Sequence, residues 1–484
     1  MPMGWRAYSI RQGAASHAPS DLWDPQVRRF AILLLFAATA NVISAASVSV
    51  LTYHNDTART GRNTNETVLT LANVNTNSFG RLFTYAVDGY VYAQPLILAN
   101  VSVPSKGVRN VLYVATEHDS VYAFDADSNA GSNAVPLWQV SFINPSTAIT
   151  SVPSGDVNCD DLVPEIGITS TPVIDPVGGT IYVMAKTREV VSGVTNYVYR
   201  LHALDVTTGA EKLGGPVVIQ GSVPGTGYDT DGSGHVSFGP FLHLNRIALL
   251  LNNGVVYFGC GSFCDNNPYH GWLFGFNAQT LATNGIFNST PNGERAGIWG
   301  NGCGPACDTN GNLYVSTGNG TFDPINGNYG DTLLRLSTSN SLVAVDYFTP
   351  YNQQSLEVND TDLGSGGVVL LPDEAGSRAH PHLVVCAGKE GTLYLVDRDN
   401  MGKFNAASDT QIVQSLLGVI GSCFDTPAYF NNTLYFVGVD DVIRAFTITD
   451  GSIMSTPTSQ GSTVFGFPGA TPSISANGTN DGIA

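Results

Sequence analysis

Basic side chains are scarce in this sequence of 484 residues. Lys and Arg together number 21, whereas Asp and Glu number 39, so the formal net charge is −18. Proteins that bind nucleic acids neutralise phosphates with clustered Lys and Arg, and anionic membrane surfaces attract the same side chains. The shortage of positive charge therefore argues against nucleic acid and anionic membranes as partners.

Hydrophobic runs are short. The run FAILLLFAATA (Phe30–Ala40) has 11 residues, whereas a membrane-spanning helix needs about 20. It follows Arg28 and Arg29 and precedes a stretch in which Ser44 and Ala46 occupy the −3 and −1 positions of a cleavage site. A charged region, a short apolar region and small residues are typical of a secretory signal peptide.

The sequence therefore predicts two parts, a leader with a signal peptide at 1–46 and a single domain at 47–484. The leader holds four of the 21 basic and two of the 39 acidic residues, which leaves 17 against 37 and a charge of −20. We expect a secreted or periplasmic protein without membrane insertion after cleavage.

Strong helix formers are also few. Lysine is rare, whereas the chain has 53 Gly and many Asn, Thr, Ser, Val and Tyr residues. This composition disfavours helices and favours strands and turns. Because 43% of the residues are hydrophobic, the chain can fill a core and is not expected to be disordered. The composition therefore predicts an all-β fold.

Cysteine is limited to seven residues, and no C-x-x-C-H motif for a covalently attached haem is present. In an exported protein, disulfides are favoured over a zinc–thiolate site. The spacing favours Cys260–Cys264, Cys303–Cys307 or a cross-pair between these two loops. We expect Cys386, on a predicted strand, to be a buried free thiol.

A repeated strand pattern runs through the chain. Six copies are visible, in the segments NVLYVATEHDSVYAFDADS, GGTIYVMAKTRE, NNGVVYFGCGSFC, NGNLYVSTGNGTF, LVVCAGKEGTLYLVDRDN and NNTLYFVGVDDVIRAFTITDG. A seventh copy begins at GATPSISANGTNDGIA and stops at Ala484. Short strands at this spacing predict a β-propeller of about seven four-stranded blades, the last one incomplete. The strand Gly80–Val87 is expected to pair with the last blade and close the ring.

Propeller geometry predicts which loops meet. The loops after every second strand gather at one face of the ring, and the connections into every first strand reach the same face. This face collects carboxylates, an amide, a lysine and a tryptophan, which suit a cation with oxygen ligands or a polar ligand. The alternative is that Asp, Asn and Gly stand there only because tight turns need them.

Several motifs carry a family resemblance. The repeat segments AFDADS and ALDVTTGAEKL, with YHNDTARTGRN, DGYVYAQPL and NPYHGWLFGFNAQTL, resemble the quinoprotein, or pyrroloquinoline-quinone-like, β-propeller family in its secreted bacterial group. The resemblance covers essentially the whole chain after the leader.

The resemblance implies a site. Enzymes of this family hold a calcium ion beside the quinone with a Glu, an Asn and an Asp, and the Asp is also the general base. By local pattern these residues correspond to Glu189, Asn319 and Asp362. The Lys that contacts the quinone corresponds to Lys389, and the Trp beneath its ring corresponds to Trp299.

The resemblance therefore implies a dehydrogenase of alcohols or sugars that depends on pyrroloquinoline quinone and calcium. The alternative is a propeller without catalytic activity, which binds a small polar molecule or a protein at the channel mouth. A hydrolase is less favoured because no Ser-His-Asp order or paired-Glu pattern stands out.

Overall fold

The computed structural model describes residues 48–484, so the predicted leader at 1–46 lies outside the described residues. Strands and turns dominate this part of the chain, and its α-helix is the short Gln353–Asn359. Single-turn 3-10 helices occur at Gly131–Ala134, Pro145–Thr147, Ser154–Asp156, Gly300–Gly302, Pro324–Asn326, Leu363–Ser365 and Asp373–Ala375. No helix among the described residues has both the length and the hydropathy that a bilayer crossing requires.

The first three sheets follow one another along the chain and are mainly antiparallel. Sheet 1 contains Leu96–Val103, Gly107–Ala115, Ser120–Asp125 and Trp138–Ser141. Sheet 2 contains Ile149–Pro153, Glu165–Ile166, Val173–Asp175, Thr180–Val191, Val194–Asp205 and Val217–Val218. Sheet 3 contains His243–Leu244, Leu250–Asn252, Val255–Ser262, Trp272–Asn277 and Thr283–Asn288.

Four more sheets follow, and the last of them also includes a strand from the beginning of the described chain. Sheet 4 contains Ala306–Cys307, Leu313–Ser316, Leu333–Ser337, Val343–Thr349 and Lys403–Phe404. Sheet 5 contains Val369–Leu370, Leu383–Ala387, Leu393–Asp397 and Gln414–Leu416. Sheet 6 contains Ala428–Phe430, Thr433–Phe436, Asp441–Thr449, Ser452–Ile453 and Ser459–Phe465. Sheet 7 contains Arg62–Asn63, Ile474–Asn477 and Asn480–Ile483.

Two small hairpins complete the described strands. They are Ser222–Pro224 with His235–Ser237 and Phe322–Asp323 with Asn328–Tyr329. The all-β prediction is confirmed, whereas the count of seven blades stays a prediction.

Consecutive sheets pack face to face, from sheet 1 to sheet 7. The strand Val255–Ser262 of sheet 3 shows how one sheet packs against both of its neighbours. Val256 and Phe258 join the core shared with sheet 2, whereas Val255 and Tyr257 join the core shared with sheet 4. Side chains alternate between the two faces of a strand, so a sheet buried on both faces needs apolar residues at consecutive positions.

The segment Gly80–Val87 does not form the closing strand predicted for it, because no ladder involves these residues. Instead, Tyr85 and Val87 pack on the face of sheet 1 that sheet 2 leaves uncovered. The Tyr85 ring stacks on Phe124 at 4.2 Å between centroids, and its hydroxyl donates to main-chain carbonyl oxygens that include that of Ser128 at 2.7 Å. Stacking and apolar burial stabilise the aromatic ring on this face.

Residues 50–63, here called the central segment, contact the beginning of every sheet. Main-chain hydrogen bonds or bridges join this segment to Ile97, Ile174, Cys307, Leu370, Tyr429 and Ile474. These residues belong to Leu96–Val103, Val173–Asp175, Ala306–Cys307, Val369–Leu370, Ala428–Phe430 and Ile474–Asn477, which are here called the first strands of sheets 1, 2, 4, 5, 6 and 7. The first strand of sheet 3 is Leu250–Asn252, and the second strand of each sheet is the one that follows its first strand along the chain. The Arg59 guanidinium donates to the Leu249 carbonyl oxygen, next to the first strand of sheet 3, at 3.4 Å. The motif YHNDTARTGRN therefore fills the space that the inner strands surround.

Candidate functional site

A cavity of about 1030 Å³ lies where the chain leads into the first strands of the sheets. Each sheet contributes lining residues from its lead-in segment, among them Tyr92, Thr169, Arg246, Trp299, Asp362, Asp425 and Phe467. Loops after second strands contribute Cys264, Asp265, Asn319 and Lys389. The central segment contributes Val50, Tyr53, His54 and Asn55.

The order of the strands in each sheet explains why these segments and loops line the same cavity. Because strands within each sheet are antiparallel, the segment before a first strand and the loop after a second strand lie at the same end. The structure accordingly brings Trp299, Asn319, Asp362 and Lys389 to the wall of one cavity.

Asp362 and Lys389 form an ion pair in this wall. Lys389 Nζ lies 2.6 Å from Asp362 Oδ1 and 2.7 Å from Asp360 Oδ1, and the Lys389 N–H donates to the Asp362 carbonyl oxygen at 3.0 Å. Burial raises the pKa of Asp362 to about 6, although Lys389 opposes the shift. A carboxyl group with this pKa can accept and return a proton near neutral pH.

Trp299 supplies a flat apolar surface beside this pair. It lines the cavity and is half-buried. A Cβ atom at Gly261 would lie 2.7 Å from Trp299 Cε3, so only glycine lets the main chain pass this close to the ring. Tyr269 meets Trp299 edge to face, with the ring centroids 6.0 Å apart. The indole orientation is therefore defined by its surroundings.

Asn319 follows the second strand of sheet 4 and has 5% of its surface exposed. Its main-chain oxygen accepts the Ala296 N–H at 2.7 Å. Its side-chain amide makes no hydrogen bond within residues 48–484, although it lines the cavity. The amide is therefore open to a ligand in the cavity.

Glu189 lies elsewhere, so its predicted meeting with Asn319 and Asp362 is not seen. It does not line the cavity, and its carboxylate forms an ion pair with Arg200 and accepts a hydrogen bond from Thr187 Oγ1 at 2.8 Å. The strand Thr180–Val191 continues through Glu189 and pairs with Val194–Asp205. Ser192 and Gly193 both have positive φ, 52° and 81°, as a two-residue hairpin turn requires. Glu189 is thus part of a ladder and not of a loop.

The predicted disulfides are wrong, and a different pair forms. Cys159 bonds to Cys264 across a sequence separation of 105, whereas Cys260, Cys303 and Cys307 are buried free thiols. Cys386 is also buried and free, as predicted. The disulfide joins the segment between Ile149–Pro153 and Glu165–Ile166 of sheet 2 with the loop after the second strand of sheet 3, next to Asp265. Because its sulfur atoms are bonded to each other, they offer no thiolate to a metal.

Three further ionisable residues in the cavity wall had no role assigned by sequence. Asp425, 3% exposed, accepts the Val437 N–H at 3.1 Å, and burial raises its pKa to about 7. Arg246 pairs with Asp161 at 3.1 Å. Asp265 accepts a hydrogen bond from the Tyr269 hydroxyl. Asp265 follows a second strand, which is a position that the sequence predicts at this face, whereas Arg246 and Asp425 carry no local motif.

Glu117 lies behind the cavity wall and is completely buried. Its Oε2 accepts the Gly167 N–H at 2.7 Å and the hydroxyl of Thr169, which lines the cavity, at 3.2 Å. Its Oε1 is buried without a hydrogen-bond partner among the described residues. Burial raises the pKa of Glu117 to about 7, so the folded protein favours the protonated carboxyl.

We expect this carboxyl to make stability depend on pH. Because the pKa of Glu117 is higher in the folded than in the unfolded chain, the contribution of this carboxyl to stability is greatest below about pH 4.5 and is lost as pH rises through about 7. Glu117→Gln should reduce this fall by about 2–3 kcal/mol, measured by urea unfolding at pH 5 and pH 8. The exposed Glu374→Gln is the matched control. An unchanged pH dependence in Glu117→Gln would contradict the assignment.

The chain matches no protein-family model and no curated protein. It is similar to the solved structure of quinohemoprotein alcohol dehydrogenase from Comamonas testosteroni, with a TM-score of 0.52 and 15% identity. It is also similar to quinohemoprotein alcohol dehydrogenase ADHIIG from Pseudomonas putida HK5, with a TM-score of 0.50 and 14% identity. Each likeness covers 82% of this chain, and 58% and 57% of the other chains. This chain thus matches less than two thirds of the length of either enzyme. The predicted resemblance to quinoprotein β-propellers is confirmed at the level of the fold.

Proposed function

We propose that this protein is an exported quinoprotein-like oxidoreductase that oxidises an alcohol or a sugar with pyrroloquinoline quinone and calcium as cofactors. The observation that carries the proposal is the ion pair between buried Asp362 and half-buried Lys389, which share the wall of one cavity with Trp299 and Asn319. A base, a cation, a flat aromatic surface and an amide are the groups that such a reaction requires.

The cavity fits a flat cofactor in size and in its aromatic surface. The cavity volume of about 1030 Å³ lies at the top of the range of roughly 300–1,000 Å³ that holds drug-sized ligands. Trp299 offers an aromatic face on which a planar ring can stack. Lys389 and Arg246 lie in the same wall, but each is paired with an aspartate, and five aspartates line the cavity. An anionic cofactor would therefore have to bind together with a cation. There is room for a cofactor and a substrate together.

When bound, the quinone supplies a two-electron acceptor and calcium supplies a Lewis acid. Asp362 accepts the hydroxyl proton of the substrate, for which its raised pKa suits it. Lys389 keeps the Asp362 carboxylate in one orientation through Oδ1 and places a positive charge next to the cofactor. Trp299 would hold the plane of the cofactor ring by stacking against it.

A binding propeller without catalytic activity is the second candidate, and aromatic groups at the cavity rim favour it. Phe467, which is 75% exposed, and Tyr92, which is 47% exposed, both line the cavity. Exposed aromatic residues are typical of surfaces that bind a small molecule or a protein.

In this proposal, the predicted leader at 1–46 directs the protein to export. The charged and apolar regions before Ala46 support secretion or a periplasmic location. N-terminal sequencing of the mature protein from a bacterial host tests it, with a start close to Ser47 as the expected result. A mature protein that retains the leader would contradict export by this route.

Trp299→Ala tests the cofactor. We expect the wild-type protein to bind pyrroloquinoline quinone with calcium at one site per chain in a calorimetric titration. The variant should bind it at least about tenfold more weakly, because the stacking surface is lost. Trp138→Phe, in sheet 1 outside the cavity, is the control. If the wild-type protein binds no quinone, the oxidoreductase proposal fails and the binding propeller is the better account.

A further inference from the structure

A buried pair of acidic residues lies between sheets 1 and 2. Glu117 and Asp119 belong to residues 116–119, which connect the second strand of sheet 1, Gly107–Ala115, to Ser120–Asp125. Both side chains are completely buried. Their hydrogen-bond partners among residues 48–484 include no basic side chain. Two carboxyl groups thus share a buried position without a compensating Lys or Arg.

Three of the four side-chain oxygen atoms of this pair have no hydrogen-bond partner in the described part of the chain. They are Glu117 Oε1 and both Oδ atoms of Asp119. The fourth, Glu117 Oε2, accepts the Gly167 N–H at 2.7 Å and the Thr169 hydroxyl at 3.2 Å. Buried polar atoms are normally hydrogen-bonded, and a buried carboxylate without a partner is costly. The pattern indicates a ligand that these oxygen atoms bind.

Gly167 is the point at which these oxygen atoms gather. It lies between Glu165–Ile166 and the first strand of sheet 2. A Cβ atom at Gly167 would lie 2.4 Å from the Glu117 main-chain oxygen and 2.8 Å from Asp119 Cγ. With the hydrogen bond to Glu117 Oε2, both carboxylates and one carbonyl group therefore pack against the same glycine.

The turn itself does not require a buried charge. Asp119 has a positive φ of 53°, a conformation that Asp, Asn and Gly tolerate. An aspartate in a turn usually bonds to nearby main-chain N–H groups or stays in solvent. The Asp119 carboxylate does neither, so the turn explains its main chain but not its side chain.

The surroundings of Asp119 are negatively charged. Burial, followed by the charges of Glu117 and Glu165, raises the pKa of Asp119 well above its usual range. Glu165 is paired with His118 at 2.9 Å. Asp88 accepts hydrogen bonds from the hydroxyls of Thr116 and Ser120 at 2.8 and 2.7 Å. These neighbours have partners of their own, and none of them neutralises Asp119.

We infer that Glu117 and Asp119 form a buried site for a divalent cation between sheets 1 and 2. Carboxylate and main-chain carbonyl oxygen atoms are hard ligands that suit calcium, and its double charge would neutralise both carboxylates. Thr169 contacts Glu117 and also lines the cavity, so the cation can enter from there. The site is separate from a cation bound with the quinone, and the inference does not rest on the proposed function.

Calcium titration without quinone tests the site. Metal is removed with a chelator, and Ca²⁺ binding is followed by calorimetry and thermal melting. We expect Asp119→Asn to weaken the binding of one calcium per chain by about tenfold or more. The melting temperature of the wild-type protein should rise by about 3 °C or more at calcium about a hundredfold above the dissociation constant. Asp399→Asn, at a side chain that is 60% exposed in sheet 5, should bind calcium within about twofold of wild type.

The same variant distinguishes a cation from a bound proton. In chelator, Asp119→Asn should melt close to or above the wild-type protein, because a buried charge without a partner is removed, and in calcium it should melt below it. Glu117→Gln should lose calcium in the same way, and the pH dependence expected for Glu117 applies to the protein in chelator. A wild-type protein that binds no calcium, or an equal response of wild type and Asp119→Asn to calcium, would overturn the inference.

Asp362→Asn separates this site from the cation of the proposed function. This variant should keep the calcium that Asp119→Asn loses, because Asp362 leads into sheet 5. Calcium that is lost in Asp362→Asn but kept in Asp119→Asn belongs to the cavity and contradicts a site at Asp119. If calcium binds through Asp119 while the wild-type protein binds no quinone, the buried site stands and the oxidoreductase proposal fails.

Discussion

Arg59→Met should lower the free energy of unfolding by about 3–5 kcal/mol, measured by urea denaturation. Arg59 is completely buried. It donates to the carbonyl oxygens of Pro305 at 3.1 Å and Tyr53 at 2.7 Å, and to Thr52 Oγ1 at 2.8 Å. Methionine leaves these buried acceptors without donors, and each loss costs about 1–3 kcal/mol.

The position of Arg59 explains why the effect should be global. Its guanidinium joins the central segment to the beginnings of sheets 3 and 4, so its loss loosens the contact around which the sheets are arranged. Arg378→Met, at an exposed position, is the matched control and should change stability by less than about 0.5 kcal/mol. A loss of less than about 1 kcal/mol in Arg59→Met would show that the central segment does not hold the sheets together.

Asp362→Asn should lower turnover by about 10²- to 10⁴-fold, as expected when a general base is removed. Asparagine has nearly the same shape and can still accept a hydrogen bond from Lys389, so quinone binding should stay close to that of wild type. Turnover is measured with a dye as electron acceptor on a panel of primary alcohols and aldoses. Calorimetry with the quinone shows whether the cofactor still binds.

Asp360→Asn is the control for this experiment. Asp360 contacts the same Lys389 at 2.7 Å, but its side chain is 62% exposed. The variant removes one negative charge near Lys389 and leaves Asp362 in place, so turnover should stay within about threefold of wild type. Equal losses in both variants would mean that charge near Lys389, and not a base at Asp362, limits the reaction.

Four of the five predicted site residues could be placed from the sequence because they stand at strand boundaries. Trp299 and Asp362 precede first strands, and Asn319 and Lys389 follow second strands. In an antiparallel sheet, these positions lie at the same end whatever the details of packing. Glu189 could not be placed in this way, because its location depends on where its strand ends.

The strand Thr180–Val191, which carries Glu189, ends later than the local sequence pattern predicts. KTRE reads as a loop after an apolar strand, but the ladder continues because Ser192 and Gly193 form a tight turn and Val194–Asp205 pairs along the whole length. The dipeptide Ser-Gly between VV and VTNYVYRL was the signal available. A hairpin there moves Glu189 from a loop into the sheet.

The sequence by itself determined the all-β class, the repeat and the end of the molecule at which Trp299, Asn319, Asp362 and Lys389 lie, because strand period and strand order are local properties of the chain. Only the tertiary structure decided the partner of Cys264, the place of Asp265 in the same cavity wall as Asp362 and the role of Arg59. Each of these depends on groups that are distant in sequence, as with Cys159 and Cys264 at a separation of 105. Such contacts are selected by the packing of whole sheets around the central segment, and no local pattern encodes that packing.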